Sequence, residues 1–419
     1  MTFASLGLTP ALCRAVRELG FSAPTPIQAA AIPAALRGDD VQGAARTGSG
    51  KTVAFALPLL QGLKDIRFEW PRRPQALVLV PTRELAVQVG EVLRDLAGAM
   101  PEPPRVAVLF GGVSINPQMM GLRGGTEIVV ATPGRLLDLV EHNALRLDSI
   151  RTLVLDEADR LLDLGFADEL ARVLALLPER RQNLFFSATF SEAVQALAAG
   201  LLRDPVRIEP PAGGEDTPAI TQRAIEVDAA RRTMLLRHLL ADPAWDQVLV
   251  FVATRYATEL VAEKLGRAGL AAGSLHGELS QGARTEVLKA FKQRRVQVLV
   301  ATDVAARGID IAALPVVVNY DLPRSTDDYT HRIGRTGRAG SPGLAVSFIS
   351  ASTEAHFRLI EKRQHQRVPR ERIPGFEPVE TATPEQAVGG VKGTRMSKKD
   401  KLRAAAAEVL PPPHPVRRS

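Results

Sequence analysis

Lys51 and Thr52 close the stretch Ala45-Arg46-Thr47-Gly48-Ser49-Gly50-Lys51-Thr52, whose residue types suit the holding of an anion. A short apolar segment ending near Val41 precedes it, and a helix-like run from Val53 to Leu63 follows. Strand, glycine-bearing loop, Lys-Thr and helix, in that order, make a phosphate cradle. Gly48 and Gly50 let the backbone approach an anion with no Cβ in the way. The N–H groups of the loop, from Thr47 through Ser49 and Gly50, and the helix N-terminus then face the phosphates. Lys51 can reach the β- and γ-phosphates, and the Thr52 hydroxyl is placed to ligate Mg²⁺. The usual G-x-x-x-x-G-K-T pattern begins with Gly where this chain has Ala45. For this stretch alone, a glycine-rich turn capping an ordinary helix is the simpler alternative.

Two further clusters add chemistry. Leu153-Val154-Leu155-Asp156-Glu157-Ala158-Asp159 reads as an apolar strand that delivers carboxylates at its C-terminal end, where open α/β sheets bind ligands. Asp156 is a natural Mg²⁺ partner and Glu157 can polarise an attacking water. A strand leading into a helix whose first turn favours Asp and Glu would read the same way. Farther on, His331-Arg332-Ile333-Gly334-Arg335-Thr336-Gly337-Arg338 crowds three arginines into a short length of chain. Without an anion they would repel one another. An arginine brought to a γ-phosphate stabilises transition-state charge, worth roughly 10³ to 10⁵ in rate; the alternative is a solvated basic loop.

The elements that must position these residues alternate. Ala76 to Val80, Val106 to Phe110, Ile128 to Ala131, Leu153 to Leu155 and Leu184 to Phe186 predict buried strands, with helices between them such as Arg83 to Leu96 and Ala167 to Leu176. Before them, Phe3 to about Gly38 is helical, with Leu6, Leu8, Leu12, Val16 and Leu19 on one apolar face and a break at Pro24-Thr25-Pro26. After a linker-like Pro/Gly run a second series follows: Ala224 to Val227, Val248 to Val252, Gly273 to Leu275, Val298 to Ala301, Val316 to Asn319 and Leu344 to Ile349. This pattern argues for two related α/β domains, each a mainly parallel sheet with helices on both faces. We place them at 1–208 and 219–368, joined by a linker over 209–218, with a mostly disordered basic tail over 369–419.

A length of 419 residues suits two globular units, and an apolar fraction of 45% is ordinary for a soluble protein. No apolar run is long enough to span a bilayer, and the start of the chain lacks a secretory pattern. Cys13 is the only cysteine, which excludes an intramolecular disulfide and a multi-cysteine zinc site. The net charge of +7 favours a polyanionic partner. From residue 385 onward eight Lys and Arg face three Asp and Glu, so the tail holds most of the excess. A cytoplasmic monomer with no membrane partner is expected.

Asp156-Glu157-Ala158-Asp159 resembles the signature of the DEAD-box family of RNA helicases, and other stretches match the family's motifs in the expected order. Gly20-Phe21-Ser22-Ala23-Pro24-Thr25-Pro26-Ile27-Gln28 resembles its adenine-reading Q motif, with Phe3 upstream where the family carries an aromatic. A Gln28 amide can pair with adenine N6 and N7; a polar residue at a helix start is the alternative. Pro81-Thr82-Arg83-Glu84-Leu85-Ala86, Gly111-Gly112 and Thr132-Pro133-Gly134-Arg135 match motifs that grip the RNA backbone, which implicates Arg83, Gly112, Thr132 and Arg135. Taken singly, each would serve as a helix cap or turn. In the family Ser187-Ala188-Thr189 links the ATP site to strand separation, and the resemblance puts Asp159, Ser187, Thr189 and His331 in that coupling role. In the second half Val250-Phe251-Val252, Gln281-Gly282-Ala283-Arg284 and Ala301 to Asp310 match further motifs. They imply Gln281, Arg284 and Thr302 at RNA and Asp310 near the ATP ribose. By the same resemblance Arg335 and Arg338 supply charge to the γ-phosphate.

The resemblance covers about residues 1 to 365. Arg181-Gln182-Asn183-Leu184-Phe185-Phe186-Ser187-Ala188-Thr189-Phe190 is most similar to the bacterial RhlE-type branch. One departure is Arg46, where the family usually has Gln; Lys51 and Thr52 are in place. What the resemblance implies is an RNA-stimulated ATPase and helicase with two RecA-like domains. It would use ATP and Mg²⁺ in the cleft between them and contact RNA mainly through its backbone. A DNA-directed helicase and an ATP-gated RNA clamp that never separates strands are the alternatives.

Overall fold

Two short, strongly apolar strand sets build the protein. A computed structural model describes residues 1–44, 49–64, 66, 70–209, 220–306, 314–337 and 342–383. The first set is β1 (Val41–Ala44), β2 (Ala76–Leu79), β3 (Val106–Leu109), β4 (Ile128–Ala131), β5 (Thr152–Leu155), β6 (Gln182–Ser187) and β7 (Val206–Ile208). The second is β8 (Ile220–Glu226), β9 (Val248–Phe251), β10 (Ala272–Leu275), β11 (Val298–Ala301), β12 (Val316–Asn319), β13 (Gly343–Ile349) and β14 (Arg370–Glu371). The sheets run β3-β4-β2-β5-β6-β1-β7 and β10-β11-β9-β12-β13-β8-β14. Every pairing within them is parallel. The second order is the first with each strand advanced by seven, so the two units share one topology.

Alternating residues explain why these strands need cover on both faces. Val78, Val130, Val154, Leu184 and Phe186 enter one core, whereas Leu77, Leu79, Val129, Leu153, Leu155 and Phe185 enter the other. Helices Lys51–Gly62 and Arg83–Ala97 close the first face and helices Pro133–Glu141 and Ala167–Ala175 the second. The second sheet divides likewise: Val250, Val300 and Val318 on one side, Leu249, Leu299 and Val317 on the other. Both units are therefore parallel α/β layers, as the alternation predicts, and fit the RecA-like domains that the resemblance implies.

Parallel register does the positioning. Ala44 at the end of β1 is level with Ser187 at the end of β6, and Leu155 at the end of β5 is level with Phe185. The segments after Ala44, Leu155 and Ser187 thus leave one edge of one sheet.

Several expectations change. The first strand begins at Val41 rather than ending near it. Leu19 lies off the apolar face at 41% exposure, because helix Pro10–Glu18 has already ended. The linker over 209–218 falls, apart from Glu209, outside the described residues. The tail does not begin at 369. β14 pairs with β8, and Arg370 donates to Glu354 and Glu361 at 2.9 Å each. Burial, the largest single influence, would raise both carboxyls, but the hydrogen bonds and charge of Arg370, joined by Arg358 at Glu354 and by the Val368 N–H and Arg367 at Glu361, together hold them below the usual range. Beyond that, the buried Asp228 carboxylate accepts the N–H groups of Val379 and Glu380 at 2.9 and 3.1 Å. The strap to residue 383 belongs to the second unit. Residues 384–419 lie outside the described residues.

Candidate active site and nucleic-acid edge

Helix Lys51–Gly62 starts from Gly50, whose φ of 91° is left-handed. A Cβ there would lie 2.4 Å from Gln28 Nε2 and 3.0 Å from Thr25 Oγ1. Those atoms come from a capping box at the start of helix Pro26–Leu36. The Thr25 N–H donates to Gln28 Oε1 at 3.0 Å, Gln28 Nε2 donates to the Gly50 carbonyl at 3.0 Å, and Thr25 Oγ1 donates to the Ser49 carbonyl at 2.8 Å. Gln28, only 1% exposed, therefore spends both ends of its amide, Nε2 on the phosphate loop and Oε1 on its own helix cap, rather than presenting it outward. Phe3 is also buried, in the core of the first unit. Gly50→Ala forces a left-handed alanine, costing about 1–2 kcal/mol, and dislodges Gln28. We expect a lower melting temperature and weaker ATP binding, read by thermal denaturation and nucleotide titration of the full chain.

Lys51 is the buried cation of this edge. It is 6% exposed, its Nζ stands 3.6 Å from Asp156 Oδ1, and it makes no hydrogen bond. A buried ammonium with three unused donors is costly unless an anion meets it. Asp156, 2% exposed, has its pKa raised by burial; the charge of Lys51 pulls it down and that of Glu157 pushes it up. Thr52 follows on the first helical turn, half-buried, and Ser49 Oγ is buried without a partner. Two adjacent carboxyls, one lysine and an unspent hydroxyl are a donor set that suits a phosphate and a hard divalent cation. Thr47 and Gly48 lie outside the described residues.

Glu157 has φ 52° and ψ 52°, a left-handed conformation that a residue with a side chain adopts at a cost. It caps helix Ala158–Asp163, and its N–H donates to Asp156 Oδ1 at 2.9 Å. One residue further, Asp159 Oδ2 accepts from the Thr189 N–H at 3.0 Å and from Thr189 Oγ1 at 2.9 Å. Ser187 Oγ donates to the Thr189 carbonyl at 2.7 Å and accepts from the Asp159 N–H at 3.3 Å. The ends of β5 and β6 are thereby tied together.

The second unit meets this edge through helix Thr326–Ile333. Arg160, buried, donates through Nη1 to Asp328 Oδ1 at 2.9 Å and through Nη2 to His331 Nδ1. Burial, reinforced by the Arg160 charge, pushes the His331 pKa down to about 3, so the ring stays neutral and its Nδ1 can accept. Arg335 is buried, and it lines one pocket with Glu157, Asp159, Arg160 and His331. Arg332 does not join an arginine cluster awaiting an anion. It forks onto Asp303 at 2.5 and 2.7 Å and donates to Asn319 Oδ1 at 3.1 Å and to the Asp321 carbonyl at 2.6 Å. Its charge is met from within. Arg338 and Asp310 lie outside the described residues.

A second set runs along the same edges. Arg83 Nη1 donates to Gln281 Oε1 at 3.2 Å, across the two units. Arg284 Nη2 lies 2.6 Å from Glu84 Oε1, an ion pair without hydrogen-bond alignment. Gly112, at φ 76°, lets the Arg83 guanidinium approach; a Cβ would sit 2.8 Å from it. Thr132 precedes helix Pro133–Glu141, and buried Arg135 donates to the Val113 carbonyl at 2.7 Å while its Nη1 has no partner. Thr302 Oγ1 accepts the Ala305 N–H at 3.4 Å.

Sequence reasoning missed Arg160, Glu84, Asp303 and Asp328. Arg160 gave no local signal: in the six-residue helix Ala158–Asp163 it is the basic residue of the last turn, where a cation suits the helix dipole without any distant partner.

Two parallel α/β units, one with a phosphate loop and the other with a buried arginine that shares a pocket with Glu157 of the first, define a tandem RecA-like nucleotide-binding protein. Residues 25–197 match the family model described as DEAD/DEAH box helicase, and residues 231–340 match that of the helicase conserved C-terminal domain. The ATP-dependent RNA helicase DeaD of Mycobacterium tuberculosis is 43% identical over 91% of this chain and 66% of its own length. DEAD-box ATP-dependent RNA helicase CshA of Bacillus cereus is 39% identical over 90% and 70%. The chain thus spans about two thirds of these relatives. Among solved structures, S. cerevisiae Dbp5 bound to RNA and ADP BeF3 is similar at a TM-score of 0.78, with 31% identity and 90% and 95% of the two chains covered. A DEAD box protein from Methanococcus jannaschii reaches 0.53 at 36% identity, over 88% and 99%. The chain belongs to the DEAD-box family of ATP-dependent RNA helicases.

Proposed function

We propose that this protein is an RNA-stimulated ATPase that locally unwinds or remodels RNA duplexes. The observation that carries the reading is the divided pocket. Buried Lys51 stands 3.6 Å from Asp156 on one unit with no hydrogen bond of its own, and Glu157 shares a pocket with Arg335 of the other. Lys51 binds the β- and γ-phosphates, Gln28 and Gly50 shape the loop beneath them, and Thr52 and Asp156 hold Mg²⁺. Bound there, Mg²⁺ neutralises charge on the phosphate oxygens. Glu157 orients and deprotonates the attacking water, and Arg335, with Arg338, stabilises the charge that develops.

Asp159, Ser187, Thr189 and His331 carry closure of the cleft to the RNA edge. There Arg83, Gly112, Thr132, Arg135, Gln281, Arg284 and Thr302 meet backbone phosphates. Because both ligands favour the closed arrangement, each raises affinity for the other. The units proposed are 1–208 and 219–383 around the linker, in a monomer acting in the cytoplasm.

The test is steady-state ATP hydrolysis with no nucleic acid, with single-stranded RNA and with single-stranded DNA. Stimulation by RNA alone is expected. Hydrolysis indifferent to RNA, or driven by DNA, overturns the reading. RNA stimulation without strand separation in a duplex assay would leave an ATP-gated clamp.

A further inference from the structure

The opposite edge of the first sheet carries a groove that none of these roles uses. It is formed where the chain enters β2, β4 and β5: the segment 71–74, the turn before β4 at 122–126, and the loop 142–148, with helix Asn116–Gly121 along one side. Four arginines line it, Arg72, Arg73, Arg123 and Arg146, against one carboxylate, Asp148. Arg72 is neutralised by buried Glu127 at 3.0 Å, and Arg146 lies 3.2 Å from Asp148. The exposed guanidinium groups of Arg73 and Arg123 have no ion pair among the described residues. Next in the chain to the lining residue Pro71 stands Trp70, 72% exposed, its ring edge close enough to Gly124 that a Cβ there would lie 3.2 Å away, with the Arg105 guanidinium 5.8 Å from its ring centroid.

We propose that this groove is a second binding site for single-stranded RNA, on the back of the first unit. The inference rests on the RNA substrate proposed above and adds a separate contact to it. An exposed indole beside a guanidinium is a stacking platform that accepts any base, and guanidinium forks match phosphate oxygens. Charge also selects a polyanion. The four-residue strands put only about 13 Å of sheet between the two edges. A strand leaving the front edge can therefore turn round the unit and lie in the groove, holding the released RNA on the enzyme.

The test compares the wild-type full chain with Trp70→Ala and with the double variant Arg73→Ala/Arg123→Ala. Affinity is measured for a short oligouridylate of about 10 nucleotides, on the scale of single-strand sites, and for one several times longer. Trp70→Ala should weaken the long RNA roughly tenfold and leave the short one unchanged. The double variant should flatten the salt slope of long-RNA binding by about 1.4, from two lost phosphate contacts. ATP turnover at saturating short RNA should match wild type in both. Equal affinity for long RNA in wild type and variants overturns this site alone, whereas a wild type that binds neither RNA overturns the RNA reading itself. Loss of binding to polyglutamate without loss of long RNA would assign the groove to an acidic protein and overturn the RNA assignment.

Discussion

Glu157→Gln is expected to lower ATP turnover by about 10² to 10⁴, the range for a lost general base, while ATP-dependent RNA binding persists. The substitution keeps shape and hydrogen-bonding capacity. Among the described carboxylates of the Asp156–Asp159 stretch it removes the one that can take a proton from water without breaking another tie: Asp159 is spent on Thr189, and Asp156 faces Lys51. It also removes the neighbouring charge that pushes the Asp156 pKa upward, so ground-state binding should hold or tighten. Single-turnover hydrolysis, together with RNA affinity measured in the presence of ATP, reads the two effects separately. Turnover within a factor of about ten of wild type would place the base elsewhere.

Arg332→Met should destabilise the second unit by the largest margin of any single change in the family's arginine motif. The side chain is buried, bidentate to Asp303, hydrogen-bonded to Asn319 and to the Asp321 carbonyl, and 4.9 Å from the Phe251 ring centroid. Methionine fills much of the volume but leaves Asp303 and Asn319 without their donor. Removing one partner of a buried ion pair costs roughly 3–5 kcal/mol. The lower end applies here, because Asp303 is 25% exposed and water can reach it. Urea unfolding of the full chain, followed through the transition of the second unit, gives the value; a midpoint equal to wild type would mean that the network holds without its centre. Arg332→Lys should fall between, since an ammonium keeps the charge but not the fork.

These two residues also mark how far the sequence reaches. The place of Glu157 was legible because a fully apolar strand ends in carboxylates and a buried parallel strand delivers them to its C-terminal edge, although an acidic helix start would have read the same way. Arg332 was misread because its partner, Asp303, is 29 positions away on the far side of β12; local spacing shows three cations but not which one the fold has already neutralised. The sheets themselves were legible for the first reason: Leu77 to Leu79 or Val298 to Ala301 leave no polar face, so burial on both sides follows. Gln28 was singled out as an adenine reader by its resemblance to the Q motif, but its contact with Gly50 depends on how two helices cross. Arg370 and Glu371 carry no periodicity at all. Two residues bonded to β8 make a strand that only the neighbouring strand can reveal.

That small strand has a practical consequence. A shortened chain ending at the expected boundary, residue 368, would keep every residue of the proposed ATP site. It would also uncover Ala224 and Ile225 on the outer side of the seven-residue β8, lengthening its open edge, and leave the Asp228 carboxylate without the Val379 and Glu380 N–H groups. Unpaired N–H and C=O groups on a long strand recruit another strand, and the nearest supply is a second copy. Shortened forms would therefore fail in solution by sticking to one another, and a loss of yield on truncation would speak of an open seam and not of damaged chemistry.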